Sequence, residues 1–385
     1  MRPVNAQYSS DCIIVGASFA GLACASALAQ QGLRVLIADR KSDPGEKLHT
    51  TGILVKDVID KVPLLEGVPA GLVHRVDRVR LYAPNLRHVD LEAPGYYFLT
   101  TDTPNLMRWL AGRAVQAGAE LRCGTGFRAA HAVPGGFELG AALGRTRFLV
   151  GADGPRSNVA RVLRLGRNRH YLVGLEHEYR GAVLAEPGFL HCFIDRQLAP
   201  GYIAWMVQGV HGVQLGLARR VRGPGGTELK AAMAKMLVKV AGIADFRSLR
   251  PDSIRAGLIP CGGLVRPVAM PRALLVGDAA GLVSPVTAGG IHTALVHGLA
   301  AGQAVAEFLH GRSVDPQRRF VRSYPRFRLK RMLRFTFDHL QRDWIFNLAL
   351  ASAPMRWAAG RIYFHRRAAG SSAAHPAGVV RRPVI

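Results

Sequence analysis

Apolar residues come in short, bounded runs at the start of the chain. The first, Cys12 to Val15, stops at Gly16, and a brief apolar run closed by glycine reads as a buried strand. Small apolar residues then continue from Ala20 to Gln31 until Gly32 stops them, which predicts a helix. A second run, within LRVLIADR, ends at Asp39 and predicts another strand. Strand, helix and strand over about 30 residues make a β-α-β unit. Pro104 can start a further helix, running to about Ala117. Between about Tyr171 and Leu217 the pattern changes. HCFID, GYIAWMVQ and GVQLGLA are short, turn-bounded and rich in branched and aromatic residues, which predicts an antiparallel sheet. ELKAAMAKMLVKVAG follows as a helix. Near Ala273 the first style returns, with ALLVGDAAGL as a strand running into a turn and a helix from about Gly290 to Leu309.

The expected fold class is therefore α/β. A discontinuous, Rossmann-like nucleotide-binding domain takes residues 1–60, 100–165 and 255–310. An inserted antiparallel β-sheet substrate domain takes 61–99 and 166–254. Residues 311–370 form a basic helical C-terminal segment, and 371–385 read as a flexible tail. There is no internal repeat.

A chain of 385 residues, 49% hydrophobic and 20% charged, can bury a sizeable core in two domains. No apolar run reaches the ~18 residues of a spanning helix, and MRPVNAQYSSD has no apolar core of a signal peptide. The five cysteines, Cys12, Cys24, Cys123, Cys192 and Cys261, never form a C-x-x-C pair. That argues against a disulfide framework and against metal ligation, and fits a reducing cytoplasm with each thiol acting as a small buried hydrophobe. The net charge of +25 attracts phosphate-bearing partners. Nucleic acid is not expected among them, because no recognised nucleic-acid module occurs.

The stretch Gly16-Ala17-Ser18-Phe19-Ala20-Gly21 carries serine where a dinucleotide-binding turn has its middle glycine. The first glycine of such a turn makes the tight bend, the second admits the pyrophosphate, and the third lets helix and strand pack closely. A serine hydroxyl could donate to a phosphate there, with the pyrophosphate on the helix N-terminus. Asp39 stands 18 residues after Gly21, where a carboxylate accepts from a ribose hydroxyl. Arg40 beside it joins the candidate site. Two later stretches extend the pattern: Gly151-Ala152-Asp153-Gly154-Pro155-Arg156-Ser157, and ALLVGDAAGLVSPVTAGGIHTAL with Gly277, Asp278, Gly289, Gly290 and Ile291.

With these three motifs, in this order, the chain resembles the flavoprotein class of aromatic-ring hydroxylases and geranylgeranyl reductases over about Asp11 to Leu309. The resemblance implies FAD. Asp153 falls in that class's DG motif, and Asp278 falls where its GD motif binds the ribityl chain. The helix after Gly289-Gly290-Ile291 points at the flavin pyrimidine ring. Physical chemistry agrees with the last role, since a helix N-terminus stabilises an anion by about 0.3–1 kcal/mol. PGEKLHTTGIL, PGYIAW and SPVTAGGIHTALVHG resemble the geranylgeranyl reductase branch. By that resemblance Ala20, Thr50, Thr51 and Gly52 line the flavin, while Tyr202 and Trp205 form an aromatic wall facing it. Cross-strand core packing is the alternative reading for those two. The branch's cysteine near Thr50 is absent, Met206-Val207-Gln208 replaces its Phe-Pro, and Asp102-Thr103 replaces its Asp-Arg pair.

No residue stands out as a catalytic acid or base. His49 is the nearest candidate proton donor, and the catalytic residue stays unassigned. A flavin carries the hydride itself, leaving orientation and electrostatics to the protein. The expected function is FAD-dependent reduction of C=C bonds in an isoprenoid (geranylgeranyl or polyprenyl) chain. NADPH or a ferredoxin-like protein would be the transient electron donor, since no second dinucleotide turn is present. The rivals are an FAD-dependent monooxygenase of aromatic or polyketide-like substrates and a basic surface-binding protein that has lost its cofactor. Halogenation is disfavoured, as no G-W-x-W-x-I-P occurs.

From Arg312 to Arg367 there are 14 Lys and Arg against three Asp. After Pro325, Leu329, Met332, Leu333, Phe337, Leu340 and Trp344 recur at helical spacing among arginines and a lysine. A basic amphipathic helix of this kind suits an anionic membrane surface. The alternative is an apolar stripe packed on the nucleotide domain with its arginines solvated. The expected location is cytoplasmic, with a peripheral position at the inner face of the membrane. Oligomeric state is left open.

Overall fold

The computed structural model describes residues 8–220, 226–285, 289–327, 332, 334, 341–350 and 352–364. β1 (Ser10–Val15), α1 (Phe19–Ala29) and β2 (Val35–Ala38) form the opening β-α-β unit. β1 and β2 pair in parallel, with Cys12 opposite Val35 and Val15 opposite Ala38. Every residue of both strands is buried. That is why their apolar runs are continuous rather than alternating, since a parallel sheet is covered on both faces.

Five parallel strands make the centre of this sheet, in the order Ala273–Leu275, Arg145–Gly151, β1, β2 and Glu120–Arg122. Three distant pieces of sequence thus build one nucleotide-binding sheet. α1 is buried all round, which its small residues permit. The helix Ile291–Leu309 lies against it. A Cβ at Gly298 would stand 2.3 Å from the Ala20 carbonyl oxygen, and one at Gly302 would stand 2.5 Å from that of Cys24. The two helices touch backbone to backbone only because these positions lack a side chain.

The second sheet has seven strands, ordered Ser253–Pro260, Tyr171–Arg180, Gly212–Arg220, Ala204–Gln208, Phe189–Phe193, Arg78–Tyr82 and His88–Glu92. Its strands pair antiparallel, as the pattern after Tyr171 predicts, except for the parallel pair Phe189–Phe193 with Arg78–Tyr82. Leu175, Tyr179, Leu215 and Leu217 pack on Met233 and Met236 of the helix Gly226–Val240. The other face is turned toward the nucleotide-binding half. Ile53–Val55, Phe98–Thr101 and Val73–Val76 form a third, three-stranded sheet.

Two C-terminal helices, Asp343–Ala349 and Ala353–Tyr363, lie in the region expected to be helical. Phe346, Leu350, Ala359 and Phe364 join the apolar cluster of Val79, Leu81, Val89 and Leu91. The amphipathic helix expected after Pro325 falls largely on residues 328–331, 333 and 335–340, outside the described residues. Among the described residues, no helix is long and apolar enough to cross a membrane. Cys12, Cys24, Cys192 and Cys261 are buried, and burial pushes the Cys24 thiol up to about 12.

Candidate functional site

The glycine turn shows why its middle position tolerates serine. Gly16 has φ +109°, and a Cβ there would lie 2.4 Å from the Ala152 carbonyl oxygen. A Cβ on Gly21 would lie 2.1 Å from the Gly16 carbonyl oxygen. Both positions need glycine. Ser18, in contrast, has φ −91° and ψ 170°, extended backbone that any residue adopts. Its Oγ accepts from the Gly21 N–H at 3.3 Å and donates to the Ala152 carbonyl at 3.0 Å. The hydroxyl caps α1 and ties it to the neighbouring strand. Its proton therefore points at Ala152 rather than outward, which leaves backbone N–H as the groups of this turn that could meet an anion. Asp39, at the end of β2, accepts from Ala17 N–H at 2.8 Å and Lys41 N–H at 2.9 Å. Its buried carboxylate is thereby fixed at the lip of the turn. Arg40 beside it is exposed.

The second piece arrives from the strand Ala273–Leu275. Gly277 has φ +57°, and a Cβ there would stand 2.9 Å from the Ala20 Cβ. The turn thus sits on the first turn of α1, so Asp39 and Gly277 converge on that helix tip, one through Ala17 and the other through Ala20. No donor among the described residues reaches the Asp278 carboxylate, and burial pushes its pKa up to about 6. The residue is half-exposed, so the carboxylate without a donor is open to a ligand hydroxyl that would satisfy it. Gly290, the N-cap of the helix beginning at Ile291, lies beside it: a Cβ there would be 3.5 Å from the Asp278 Oδ1. Gly289 accepts from the Ser284 N–H at 3.3 Å. Residues 286–288 of the same motif lie outside the described residues.

Asp153 is placed differently. Its carboxylate accepts from Ser157 Oγ at 2.6 Å, Asn158 N–H at 2.6 Å and Val159 N–H at 3.0 Å. Burial raises its pKa against the pull of these bonds. The group shapes its own loop at the start of the short helix Asn158–Val162. The remaining residues fit an extended flavin dinucleotide. Gly16 to Gly21 could hold the diphosphate, Asp39 the adenosine ribose and Asp278 the ribityl chain. The tip of the helix from Ile291 would meet the ring.

The loop His49–Gly52 bridges the two halves. Gly52 has φ +77°, and its carbonyl accepts from Thr101 Oγ1 at 2.8 Å. Thr50 Oγ1 accepts from the Gly52 N–H at 3.3 Å. The His49 Nδ1 lies 2.6 Å from the Ala256 carbonyl oxygen, and the Thr51 side chain stands beside the carboxylate of Glu176, where its hydroxyl favours the ionised form. Facing the loop, Leu172, Tyr202, Ala218 and Cys261 form an apolar cluster, with Trp205 packed against it. Gly216 makes room for the indole, since a Cβ there would stand 2.3 Å from the ring. Tyr202 is buried, which raises its phenol pKa. Trp205 is half-buried and donates its Nε1–H to Glu176 Oε2 at 3.3 Å.

Glu176 is the residue that sequence reasoning missed. It is 4% exposed, and Arg255 reaches both it, at 3.3 Å, and the buried Glu178, at 2.6 Å. The signal lay in YLVGLEHEYR: alternation along a strand puts Leu172, Glu176 and Glu178 on one face, so an inward apolar face carries two carboxylates. Arg255 lies directly across from Glu176 on the neighbouring strand, a partnership of register rather than of nearby sequence.

Comparison with known proteins bears on the family and the fold. The FAD binding domain family matches residues 9–332. Among curated proteins, the digeranylgeranylglycerophospholipid reductase 2 of Methanopyrus kandleri is 29% identical over 335 residues, covering 82% of this chain and 81% of that protein. A digeranylgeranylglycerophospholipid reductase 3 of Methanosphaera stadtmanae is 25% identical over 324 residues, covering 80% of each. Among solved structures, a geranylgeranyl bacteriochlorophyll reductase-like protein from Thermoplasma acidophilum superposes with a TM-score of 0.76 at 20% identity. The overlap covers 91% of this chain and 96% of that one. A flavin-dependent brominase shares the fold at a TM-score of 0.68 and 15% identity.

Proposed function

This chain belongs to the FAD binding domain family and is an FAD-dependent oxidoreductase, and on that premise we propose that it saturates C=C bonds of a polyprenyl chain on a lipid. One observation carries the substrate class. The sheet facing the loop His49–Gly52 carries a buried apolar cluster of Leu172, Ala218, Tyr202 and Cys261, with the half-buried Trp205 packed against it and Gly216 beneath the indole. Such a surface suits a hydrocarbon chain, whose binding is driven by apolar burial rather than by a polar anchor. The relatives that align over four-fifths of their length carry names of prenyl-lipid reductases.

In this reading FAD supplies hydride chemistry, and the chain holds it at the residues described above. Gly16, Ala20, Gly21 and the Ser18 backbone meet the diphosphate, with Asp39 and Arg40 at the adenosine end. Asp278 meets the ribityl chain, Gly289, Gly290 and Ile291 meet the pyrimidine ring, and Thr50, Thr51 and Gly52 line the ring itself. Asp153 supports the loop from behind, and Tyr202 and Trp205 hold the substrate chain. Residues 1–60, 100–165 and 261–310 serve as the cofactor domain, and 61–99 with 166–260 as the substrate domain, since the strand Ser253–Pro260, expected with the cofactor domain from residue 255 on, is an edge of the seven-stranded sheet. NADPH or a ferredoxin-like protein reduces the flavin. The protein works peripherally at an anionic membrane: Trp344, Leu348 and Trp357 are 63%, 76% and 64% exposed, and the Arg361 guanidinium lies 4.5 Å from the Trp357 ring centre. Aromatic and basic groups together favour a lipid interface.

The test is anaerobic turnover. The FAD-loaded protein, chemically reduced, is mixed with a digeranylgeranylglycerol phospholipid without oxygen, and the lipid is weighed by mass spectrometry. A gain of two hydrogens per reduced bond supports the reading. Lipid left unchanged without oxygen but hydroxylated with it would replace the reading by monooxygenation.

A further inference from the structure

Saturating a C=C bond needs a proton as well as a hydride, and the reading above leaves the proton without a source. The buried trio of Glu176, Glu178 and Arg255 supplies one by charge balance. Two carboxylates share one guanidinium, and an unbalanced charge out of water is costly. Arg255 makes its short contact, 2.6 Å, with Glu178 and a longer one, 3.3 Å, with Glu176. Among the described residues, the groups that face the trio from the neighbouring strands and the loop add no cation. The strand Gly212–Arg220 presents Gly216 opposite Glu176 and Gln214 opposite Glu178. The strand Ala204–Gln208 presents the neutral Trp205 indole. The loop presents Thr51, and the exposed His49, whose ring is bound to the Ala256 carbonyl. The proton of this trio therefore belongs on Glu176. Burial acts in the same direction, raising the Glu176 pKa.

We propose that Glu176 is the proton reservoir of the reaction and that it delivers through the Thr51 hydroxyl. Glu176 itself is shielded, whereas Thr51 is half-exposed in the loop that lines the flavin. When Glu176 is ionised, Thr51 donates to it. With the proton on Glu176 the same pair runs in the opposite sense, and the threonine hydrogen is free to leave toward the site. The balance closes. The reduced FAD that the site would hold would supply a hydride, with its electron pair, for one carbon of the double bond. The π pair forms the second C–H bond with the proton that leaves Thr51, and Glu176 replaces that proton. Oxidised FAD, a saturated bond and a Glu176 carboxylate facing Arg255 remain, and solvent returns the proton.

This inference rests on the proposed reduction, and the test separates the two. With holoenzyme prereduced anaerobically, lipid-driven reoxidation of the flavin is followed against pH. In the wild type the rate falls as pH rises through the Glu176 pKa, because the donating form is the protonated one. Glu176→Gln lowers the rate about 100-fold and removes that limb, a loss within the range of general-acid effects. Glu176→Asp restores part of the rate. Thr51→Val lowers the rate with the fold of the loop intact, and Thr51→Ser keeps more of it. Independently of turnover, the infrared band of a protonated carboxyl in wild-type holoenzyme at neutral pH disappears in Glu176→Gln. Wild-type rate and pH profile in Glu176→Gln, or in Thr51→Val, overturn the relay, as does the absence of that band. If the wild type leaves the lipid unreduced, the substrate reading fails, and the band alone then decides whether Glu176 holds the proton.

Discussion

The glycine turn at residues 16–21 and the sheet face around Glu176 are the two halves of the proposed site, built from different materials. The turn works with backbone. Its essential feature is what Gly16 and Gly21 lack, and its polar groups are N–H donors at the tip of α1. The sheet face works with side chains: an indole, a threonine hydroxyl, two carboxylates and a guanidinium drawn from the loop and three strands. A backbone cradle tolerates no added atom but is indifferent to side-chain chemistry. A side-chain network tolerates small shifts but depends on each group's charge. Substitutions in the two halves should therefore fail in different ways.

The largest effect should come from Gly21→Ala. Its new Cβ would lie 2.1 Å from the Gly16 carbonyl oxygen, with backbone that cannot move aside. Overpacking and strain of this kind cost about 3 kcal/mol. The purified variant should emerge colourless, with a lowered melting temperature and no recovery on added FAD. A yellow Gly21→Ala protein of normal stability would break the distinction between a backbone half and a side-chain half.

That distinction also explains what the sequence made legible. The turn, Asp39 and the Gly277–Ile291 stretch could be read because their constraints are local: a glycine must follow a strand and precede a helix, and an acid must end the next strand. Most of the discontinuous sheet could be read for the same reason, since Ser10–Val15, Val35–Ala38 and Ala273–Leu275 are each a fully buried run, whereas the exposed strand Glu120–Arg122 carries no such signal. The Glu176 network could not. Arg255 is 79 positions from Glu176, and Thr51 is far from both, so they meet only through strand register and the path of a loop. Ser18 was legible in position but not in action, because its partner, Ala152, comes from a strand more than a hundred residues away.

The next effect concerns Asp278, which belongs to the cofactor half but acts through charge. Asp278→Asn should weaken FAD binding about 10- to 100-fold at pH 7, the worth of a hydrogen bond to a charged acceptor. In the wild type, with a pKa of about 6 before FAD binds, affinity should fall as pH drops below that value, by up to about tenfold per unit. The sign follows from the bond: a ribityl hydroxyl donating to the carboxylate stabilises its ionised form, so binding competes with protons. In the FAD-free protein the sign for folding is opposite. Stability from the neutral Asp278 is full below 3.8 and lost as pH rises through about 6. Fluorescence titration of FAD between pH 5 and 8 reads the first effect. A flat profile in the wild type would remove Asp278 from the cofactor's contacts.

Gly216→Ala sharpens the comparison from the other half. A Cβ there would meet the Trp205 ring at 2.3 Å, and unlike the carbonyl beside Gly21, a half-buried indole can swing away. FAD content should stay normal. The Trp205–Glu176 bond should be lost, with a shift in tryptophan emission, and KM for the prenyl lipid should rise about tenfold, a change of about 1.4 kcal/mol. Loss of FAD from this variant would mean that the wall also carries the cofactor.

The smallest effect should be at Ser18, the position where a dinucleotide turn has glycine. Three observations bear on it. Its backbone is extended, so no left-handed conformation demands glycine. Its hydroxyl accepts from Gly21 N–H, which is the work of an N-cap. Its proton goes to the Ala152 carbonyl, which stitches α1 to the strand Arg145–Gly151. Ser18→Gly should therefore cost only a few tenths of a kcal/mol, and Ser18→Ala about 1 kcal/mol, through the lost cap. FAD affinity should change less than stability in both, because the diphosphate would meet backbone N–H groups that neither substitution removes. Parallel thermal melts and FAD titrations read the two quantities separately. If Ser18→Ala keeps its melting temperature but loses FAD affinity tenfold or more, the hydroxyl serves the phosphate after all, and the backbone half of the site contains one working side chain.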